Sequence, residues 1–176
     1  VQGDALGGGL ECALSSDLVV AEESAQLGLP EILFNLFPGM GAYSLLARRI
    51  GMREAEKIIL SGRVITAREM HELGVVDILA PSGEGEATVR DWIASNRRRK
   101  NGIQAVMRAR QSIHPISRQE LDAITDTWVD AALRLEDRDL RMMSRIVRAQ
   151  MRRMESGAAS DITAEALDEE RQSAAA

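Results

Sequence analysis

Glycine is unevenly distributed along this chain, and its distribution constrains the fold more than any other feature. Twelve of the 14 glycines lie within residues 1–88. Glycine adopts backbone conformations that other residues rarely reach, so the first half must turn often. The second half has apolar residues three or four positions apart, as amphipathic helices do. We therefore predict an α/β first half followed by a mainly helical second half.

The composition sets further limits on the class of protein. A chain of 176 residues with 45% hydrophobic residues is one domain or part of a larger one, and is not wholly disordered. No apolar run reaches the roughly 18 residues of a membrane span. The single cysteine, Cys12, excludes an internal disulfide and a cysteine-based zinc site. We expect a cytoplasmic protein without a metal or a cofactor.

The negative charge lies at the end of the chain. The net charge is −5, and residues 155–176 hold six acidic residues and one basic residue. The preceding 154 residues hold 21 acidic and 21 basic residues and are neutral. A neutral body gives no reason to expect nucleic-acid binding. The acidic end, which is also rich in Ala and Ser, is predicted to be disordered.

Local signals predict several short elements in the first half. We expect helices over about 10–15, 42–49 and 53–60, another that begins at the capping box Thr66–Glu69, and strands over 18–21 and 75–79. Residues 27–37 are predicted to form an apolar loop, which Pro38 and the following glycines end.

A run of glycines before the first helix suggests an anion site. Gly7, Gly8 and Gly9 place backbone N–H groups at the positive end of a helix dipole. Glu11 follows where a phosphate loop would have Lys and Ser or Thr, so an oxyanion formed during a reaction fits better than a phosphate. Close packing of strand and helix would explain the glycines equally well.

Two glutamates stand in apolar surroundings near this turn. Glu11 lies among Leu and Ala residues, and Glu31 lies between Pro30 and Ile32. Burial raises the pKa of a carboxyl group, so the two glutamates are candidates for an acid/base pair. Each is also compatible with a plain role as an acidic residue at the start of a helix.

Several motifs in order resemble one family. Residues Ala5–Glu11, Gly28–Ile32 and Pro38–Gly41 strongly resemble the crotonase (enoyl-CoA hydratase/isomerase) superfamily, and Ile59–Gly62 and Ala67–Asp77 are similar to its later segments. The resemblance covers about residues 1–81. The spacing of twenty between the two glutamates is also the family's spacing for its catalytic glutamates.

The resemblance implies a fold and a division of the chain. It implies a spiral of ββα turns, with residues 1–81 as the C-terminal part of the spiral core. Residues 82–154 would form a helical region for the acyl pocket and for contacts within a homotrimer or higher oligomer, and residues 155–176 the acidic tail. Family members are longer, so we expect the chain to be the C-terminal part of a protein whose front half is missing here.

The resemblance also implies site residues. Glu11 and Glu31 would be the catalytic acid/base pair, with the division of roles between them open. The backbone N–H of Gly8 would be one oxyanion donor, and the other would lie in the front half. We expect an acyl pocket, with Trp128 and its helix as a lid, lined by Leu29, Leu33, Leu36, Phe37 and Met40. Plain core packing is the alternative for these apolar residues.

A closer resemblance points to one branch. Gly3–Leu6, Glu31–Tyr43 and the regions around Trp128–Asp130 and Arg148–Gln150 look like the diffusible-signal-factor synthase branch. Ordinary hydratases have a Gly-Gly-Thr-Gln type sequence where Gly41–Ser44 stands. This implies a 3-hydroxyacyl-thioester dehydratase and thioesterase that releases a cis-2-unsaturated fatty acid from acyl carrier protein. The alternatives are an enoyl-CoA hydratase/isomerase acting on a CoA thioester and a non-catalytic crotonase-like binding protein.

The segment 138–154 carries two interleaved stripes. We predict an apolar face of Leu140, Met143, Val147, Met151 and Met154, and a basic face of Arg138, Arg141, Arg145, Arg148 and Arg152. The basic face fits three roles: solvated surface, a docking face for an acidic partner such as an acyl carrier protein, or pairing across a trimer interface.

Overall fold

The computed structural model describes residues 1–156, 167–169 and 171–172, and side chains within α8 only up to residue 153. The acidic tail predicted over 155–176 lies largely outside the described residues, as does the side chain of Met154. In the first half, short strands alternate with short helices: β1 Ala5–Leu6, α1 Gly8–Leu14, β2 Val20–Glu22, β3 Gln26–Gly28, a 3₁₀ helix Pro30–Phe34, α2 Ala42–Ile50, α3 Met52–Ser61, β4 Val64–Thr66, α4 Ala67–Glu72 and β5 Ile78–Ala80.

The second half is helical, as predicted. It consists of α5 Gly85–Ser95, a 3₁₀ helix Arg97–Arg99, α6 Lys100–Ile113, α7 Arg118–Ala132 and α8 Asp137–Ser156. No helix in the described part of the chain is long and apolar enough to cross a membrane.

The strands form two small sheets. β1 pairs in parallel with β3, which pairs antiparallel with β4, while β2 pairs in parallel with β5. Parallel pairing needs a crossover between the strands, and the crossover from β1 to β3 consists of α1 followed by β2 of the other sheet. The predicted strand over 75–79 is shifted to Ile78–Ala80, the residues that pair with β2, because the amides of Val75 and Val76 donate instead to the Met70 carbonyl.

Two apolar clusters hold the fold together. The larger cluster packs the strands against α1 to α4 and includes Leu10, Leu14, Leu27 and Leu46, all almost completely buried. A second cluster joins the 3₁₀ helix Pro30–Phe34 to α7 and α8. The capping box predicted at Thr66 is present: the Thr66 hydroxyl accepts from the Glu69 backbone amide, and the Glu69 carboxylate accepts from that of Thr66.

The face of α8 that packs against the fold agrees with the prediction at Met143, which is half-buried against the second cluster, and otherwise differs from it. The buried residues are Met142, Ile146 and Ala149, whereas Leu140 and Val147 are 49% and 47% exposed and Met151 is also exposed. The buried stripe begins at Asp139 and ends at Arg153, whose charges interrupt its apolar pattern. Both charged groups have partners: Asp139 accepts from Asn35 and lies 3.5 Å from the Arg138 guanidinium, and Arg153 pairs with Asp4, so this stripe can face the core.

Candidate functional site

The side chain of Glu11 is hydrogen-bonded to the start of the neighbouring helix α2. It lies in α1 and is only 3% exposed. Its Oε1 atom accepts hydrogen bonds from the backbone amides of Met40, at 2.8 Å, and Ala42, at 3.1 Å. Ala42 is the first residue of α2, so the carboxylate also faces the positive end of that helix. The carboxylate is therefore held by main-chain donors.

The loop that supplies these donors was visible in the sequence only as a turn. Gly41 has φ +104°, a left-handed conformation that glycine adopts without strain. That turn lies between Met40 and Ala42, and the amides of both reach the same oxygen atom of Glu11. The glycines after Pro38 indicated a turn, but nothing in the sequence indicated which side chain the turn would hold.

Glu31 is half-buried and lacks a comparable set of partners. It is the second residue of the 3₁₀ helix Pro30–Phe34 and follows Pro30, whose fixed φ suits the start of a helix. Its Oε2 atom is buried and has no hydrogen-bond partner among the described residues. Burial is the main reason that the pKa of Glu31 rises to about 7. A bond from its own backbone amide opposes the rise, and the nearby Glu11 carboxylate adds to it.

Both glutamates lie beside the glycine turn, and the Glu11 amide donates to the Gly7 carbonyl at 3.1 Å. Gly7 has φ +54°, and a Cβ atom there would lie 2.8 Å from Oε1 of Glu31, so only glycine allows this approach. Gly8 is the first residue of α1, where a backbone N–H has no acceptor within the helix. The terminal methyl group of Met40 lies against Gly8, since a Cβ on Gly8 would be 2.7 Å from it.

The predicted pocket residues fall into different surroundings. Leu33, Leu36 and Trp128 belong to the second apolar cluster, and the Trp128 indole covers Gly39, where a Cβ would overlap it. Leu29 is fully buried in the larger cluster and lies apart from this group.

The two remaining pocket candidates are more accessible. Phe37 is half-buried, and Met40 is 70% exposed although its end touches Gly8. The apolar residues nearest the two glutamates thus include both packed and accessible side chains. Among the described residues, no three His, Cys, Asp or Glu side chains are placed to hold a metal ion.

Comparison with known proteins gives a consistent result. The model of a family described as enoyl-CoA hydratase/isomerase matches residues 1–125. The 2,3-dehydroadipyl-CoA hydratase of Escherichia coli is 46% identical over 82 residues, which cover 47% of this chain and 32% of that protein. A peroxisomal fatty acid beta-oxidation multifunctional protein of Arabidopsis thaliana is 44% identical over 92 residues, which cover 52% of this chain and 13% of that protein.

Solved structures resemble the fold over most of the chain. An enoyl-CoA hydratase from Mycobacterium avium subsp. paratuberculosis has a TM-score of 0.63 at 31% identity, covering 77% of this chain and 54% of that one. A putative enoyl-CoA hydratase from Streptomyces avermitilis has a TM-score of 0.69 at 23% identity, covering 84% and 53%, and supports the fold alone. The predicted crotonase-like α/β fold is confirmed. The chain spans a third or less of the two curated relatives and about half of these structures.

Proposed function

We propose, from the premise that the chain belongs to the enoyl-CoA hydratase/isomerase family, that Glu11 and Glu31 catalyse the reversible addition of water to a 2-enoyl thioester. The substrate class is a CoA thioester. The observation that carries the proposal is the pair itself: the Glu11 carboxylate is fixed by main-chain amides, and the neighbouring Glu31 carboxyl has a buried Oε2 atom and a pKa of about 7. A purely structural glutamate would have its buried oxygen atoms paired, whereas Oε2 of Glu31 has no partner among the described residues.

Each group has a role that its surroundings support. The thioester carbonyl accepts from the Gly8 N–H, which stabilises the negative charge that develops on its oxygen atom. Glu31 lies against Gly7, next to that donor, and therefore near the carbon adjacent to the carbonyl. Glu11, held by the α2 start, orients the water molecule and accepts its proton as the oxygen attacks C3.

The proton balance is complete within the pair. As water adds to C3, the C2=C3 electron pair forms an enolate that protonated Glu31 neutralises by giving a proton to C2. Glu11 then holds the proton from water, and its transfer to ionised Glu31 restores both groups for the next turnover. In the reverse direction, ionised Glu31 removes the C2 proton and Glu11 protonates the departing hydroxyl. A group with a pKa near 7 can serve both directions at neutral pH.

Substitution of each glutamate tests the proposal. Glu11→Gln and Glu31→Gln keep the shape of the side chain and remove the acid/base function, so kcat for hydration of a 2-enoyl-CoA is expected to fall by about 10²–10⁴-fold. Glu22→Gln is the matched control, because Glu22 is as buried as Glu11 but accepts from the amides of Gly83 and Gly85. That variant should lose stability and keep kcat. Full activity in both site variants would refute the mechanism.

A second candidate is the signal-factor synthase reaction, in which the same pair dehydrates a 3-hydroxyacyl thioester and a thioesterase step releases the acid. The segment Glu31–Tyr43 favours it, because this segment bears the closer resemblance to that branch. The test compares CoA and acyl-carrier-protein thioesters of the same 3-hydroxy acid. Release of a free cis-2-unsaturated acid from the carrier substrate would support this candidate, and hydration without release of free acid would exclude it.

A further inference from the structure

A polar contact joins the Glu31 helix to α8 across 104 residues of sequence. Asn35 follows the 3₁₀ helix Pro30–Phe34 directly and has φ +60°, a conformation that non-glycine residues rarely adopt. Its side-chain Nδ2 donates to Oδ2 of Asp139 at 3.3 Å. Asn35, at the end of the 3₁₀ helix Pro30–Phe34, is thus hydrogen-bonded to the first turn of α8.

The surroundings of Asp139 favour a charged hydrogen-bond acceptor. It is only 6% exposed, and the same Oδ2 atom accepts from the backbone amide of Glu136 at 2.9 Å. That bond, the one from Asn35 and the adjacent Arg138 guanidinium lower the pKa of Asp139, so it remains a charged acceptor at neutral pH. Phe34 and Leu36, on either side of Asn35, pack in the second cluster with residues of α8.

We propose that Asn35 is a positioning residue, which through Asp139 fixes the Glu31 helix on α8 and so holds the Glu31 carboxyl at the reacting carbon. The inference rests on the proposed function in assigning Glu31 a part in the reaction. Asn35 itself contacts neither Glu31 nor the glycine turn by any hydrogen bond of the described residues, and acts through the main chain.

The hydrogen bonds around Glu31 explain why its position depends on the contact between Asn35 and Asp139. Oε2 of Glu31 has no partner among the described residues, so its place depends on the backbone that carries it. That backbone is bonded to the Asn35 turn, since the Leu36 amide donates to the Glu31 carbonyl and the Asn35 amide to the Ile32 carbonyl, both at 3.1 Å. A displacement of the turn therefore moves Glu31, and a misplacement of about 1 Å can cost roughly 100-fold in rate.

Two neutral substitutions separate the side-chain contact from the turn conformation. Asn35→Gly removes the contact but accepts the positive φ, whereas Asn35→Ala removes the contact and also strains the turn. Asn96→Ala is the matched control, because Asn96 ends α5 and its Nδ2 donates to the Trp92 carbonyl at 2.8 Å, far along the chain from the site. None of the three substitutions adds or removes a charged side chain.

The measurements are the kcat and KM of hydration and the titration of the Glu31 carboxyl by ¹³C NMR, assigned by its loss in Glu31→Gln. We expect both Asn35 variants to lower kcat by roughly 10–100-fold with KM nearly unchanged. Greater access of water to Glu31 should move its titration from about 7 towards the ordinary value. Asn96→Ala should change neither.

Other outcomes overturn the inference. If only Asn35→Ala has an effect, the turn conformation matters and the contact with Asp139 does not. If both Asn35 variants are less stable to heat, but their kcat and the titration of their Glu31 carboxyl equal those of the Asn96→Ala control, the contact is only structural. The titration needs no substrate, so it tests the positioning of Glu31 independently of the proposed function. If the pKa of Glu31 shifts in Asn35→Gly, the positioning of Glu31 by Asn35 is supported. If Glu31→Gln is also fully active, the proposed function is refuted while the positioning remains supported.

Discussion

The Glu31 carboxyl couples protonation to folding in a direction that can be worked out. Its pKa is about 7 in the folded chain and near 4.5 when the chain is unfolded. Between these values the folded state binds more protons, so the stability contributed by the neutral carboxyl is complete below about pH 4.5 and is lost as the pH rises to about 7. A shift of this size corresponds to about 3 kcal/mol as an upper limit.

Glu31→Gln removes this dependence, because the amide stays neutral at every pH. The variant should match the unmodified protein in free energy of unfolding at about pH 4 and exceed it by up to about 3 kcal/mol at about pH 8. Denaturant unfolding at the two pH values measures the difference. A gain that is the same at both would show that Glu31 titrates normally.

The Gly8 amide allows an equally direct test of the oxyanion site. Gly8→Pro removes the N–H, and proline is well tolerated at the first position of a helix, which Gly8 occupies in α1. We expect kcat to fall by about 10²–10³-fold. Gly8→Ala keeps the N–H and displaces only the exposed end of Met40, so it should retain most activity. Equal loss in both variants would indicate a steric cause instead.

The orientation of α8 is a testable correction of the sequence-based prediction. Ile146 is 2% exposed in the second cluster, whereas its neighbour Val147 is 47% exposed. Ile146→Asp buries an unpaired charge and should reduce the free energy of unfolding by more than about 3 kcal/mol. Val147→Asp, which was predicted to be the buried position, should change it by less than about 0.5 kcal/mol. Urea denaturation of the two variants decides between the faces.

The sequence predicted the structural features that depend on residues close together in the chain and missed those that depend on contacts between distant residues. The glycine turn, the two glutamates and the capping box at Thr66 are local patterns, and the structure contains the capping box and places Glu11 and Glu31 near each other. The α8 face was misassigned because its buried stripe includes the charges of Asp139 and Arg153. Their side-chain partners in the first half of the chain lie more than 100 residues away, and no local pattern indicates them.

The basic face of α8 is exposed along much of its length in the folded chain. Arg141, Arg145 and Arg148 line a groove of about 510 Å³ with Asp137, Leu140 and Ser144. Arg152, at the end of the same stripe, pairs with Glu169 of the acidic end. Arg141 and Arg148 are exposed on this groove, and arginine pairs well with carboxylates and phosphates. The exposed arginines of this groove could therefore bind an acidic partner or remain in contact with solvent.

Charge reversal distinguishes the roles of this face. If it docks an acidic acyl carrier protein, Arg141→Glu with Arg148→Glu should raise KM for a carrier-bound substrate more than about tenfold, and the effect should weaken at high salt. Turnover of the matching CoA thioester should stay unchanged, because Glu11 and Glu31 are not altered. Arg118→Glu with Arg68→Glu is the control, since both arginines are exposed and lie outside α8. A lower mass of the α8 variant than of the unmodified protein, measured by light scattering, would instead assign the face to subunit contacts. Unchanged KM and unchanged mass would leave it as solvated surface, because exposed arginines contribute little without a partner.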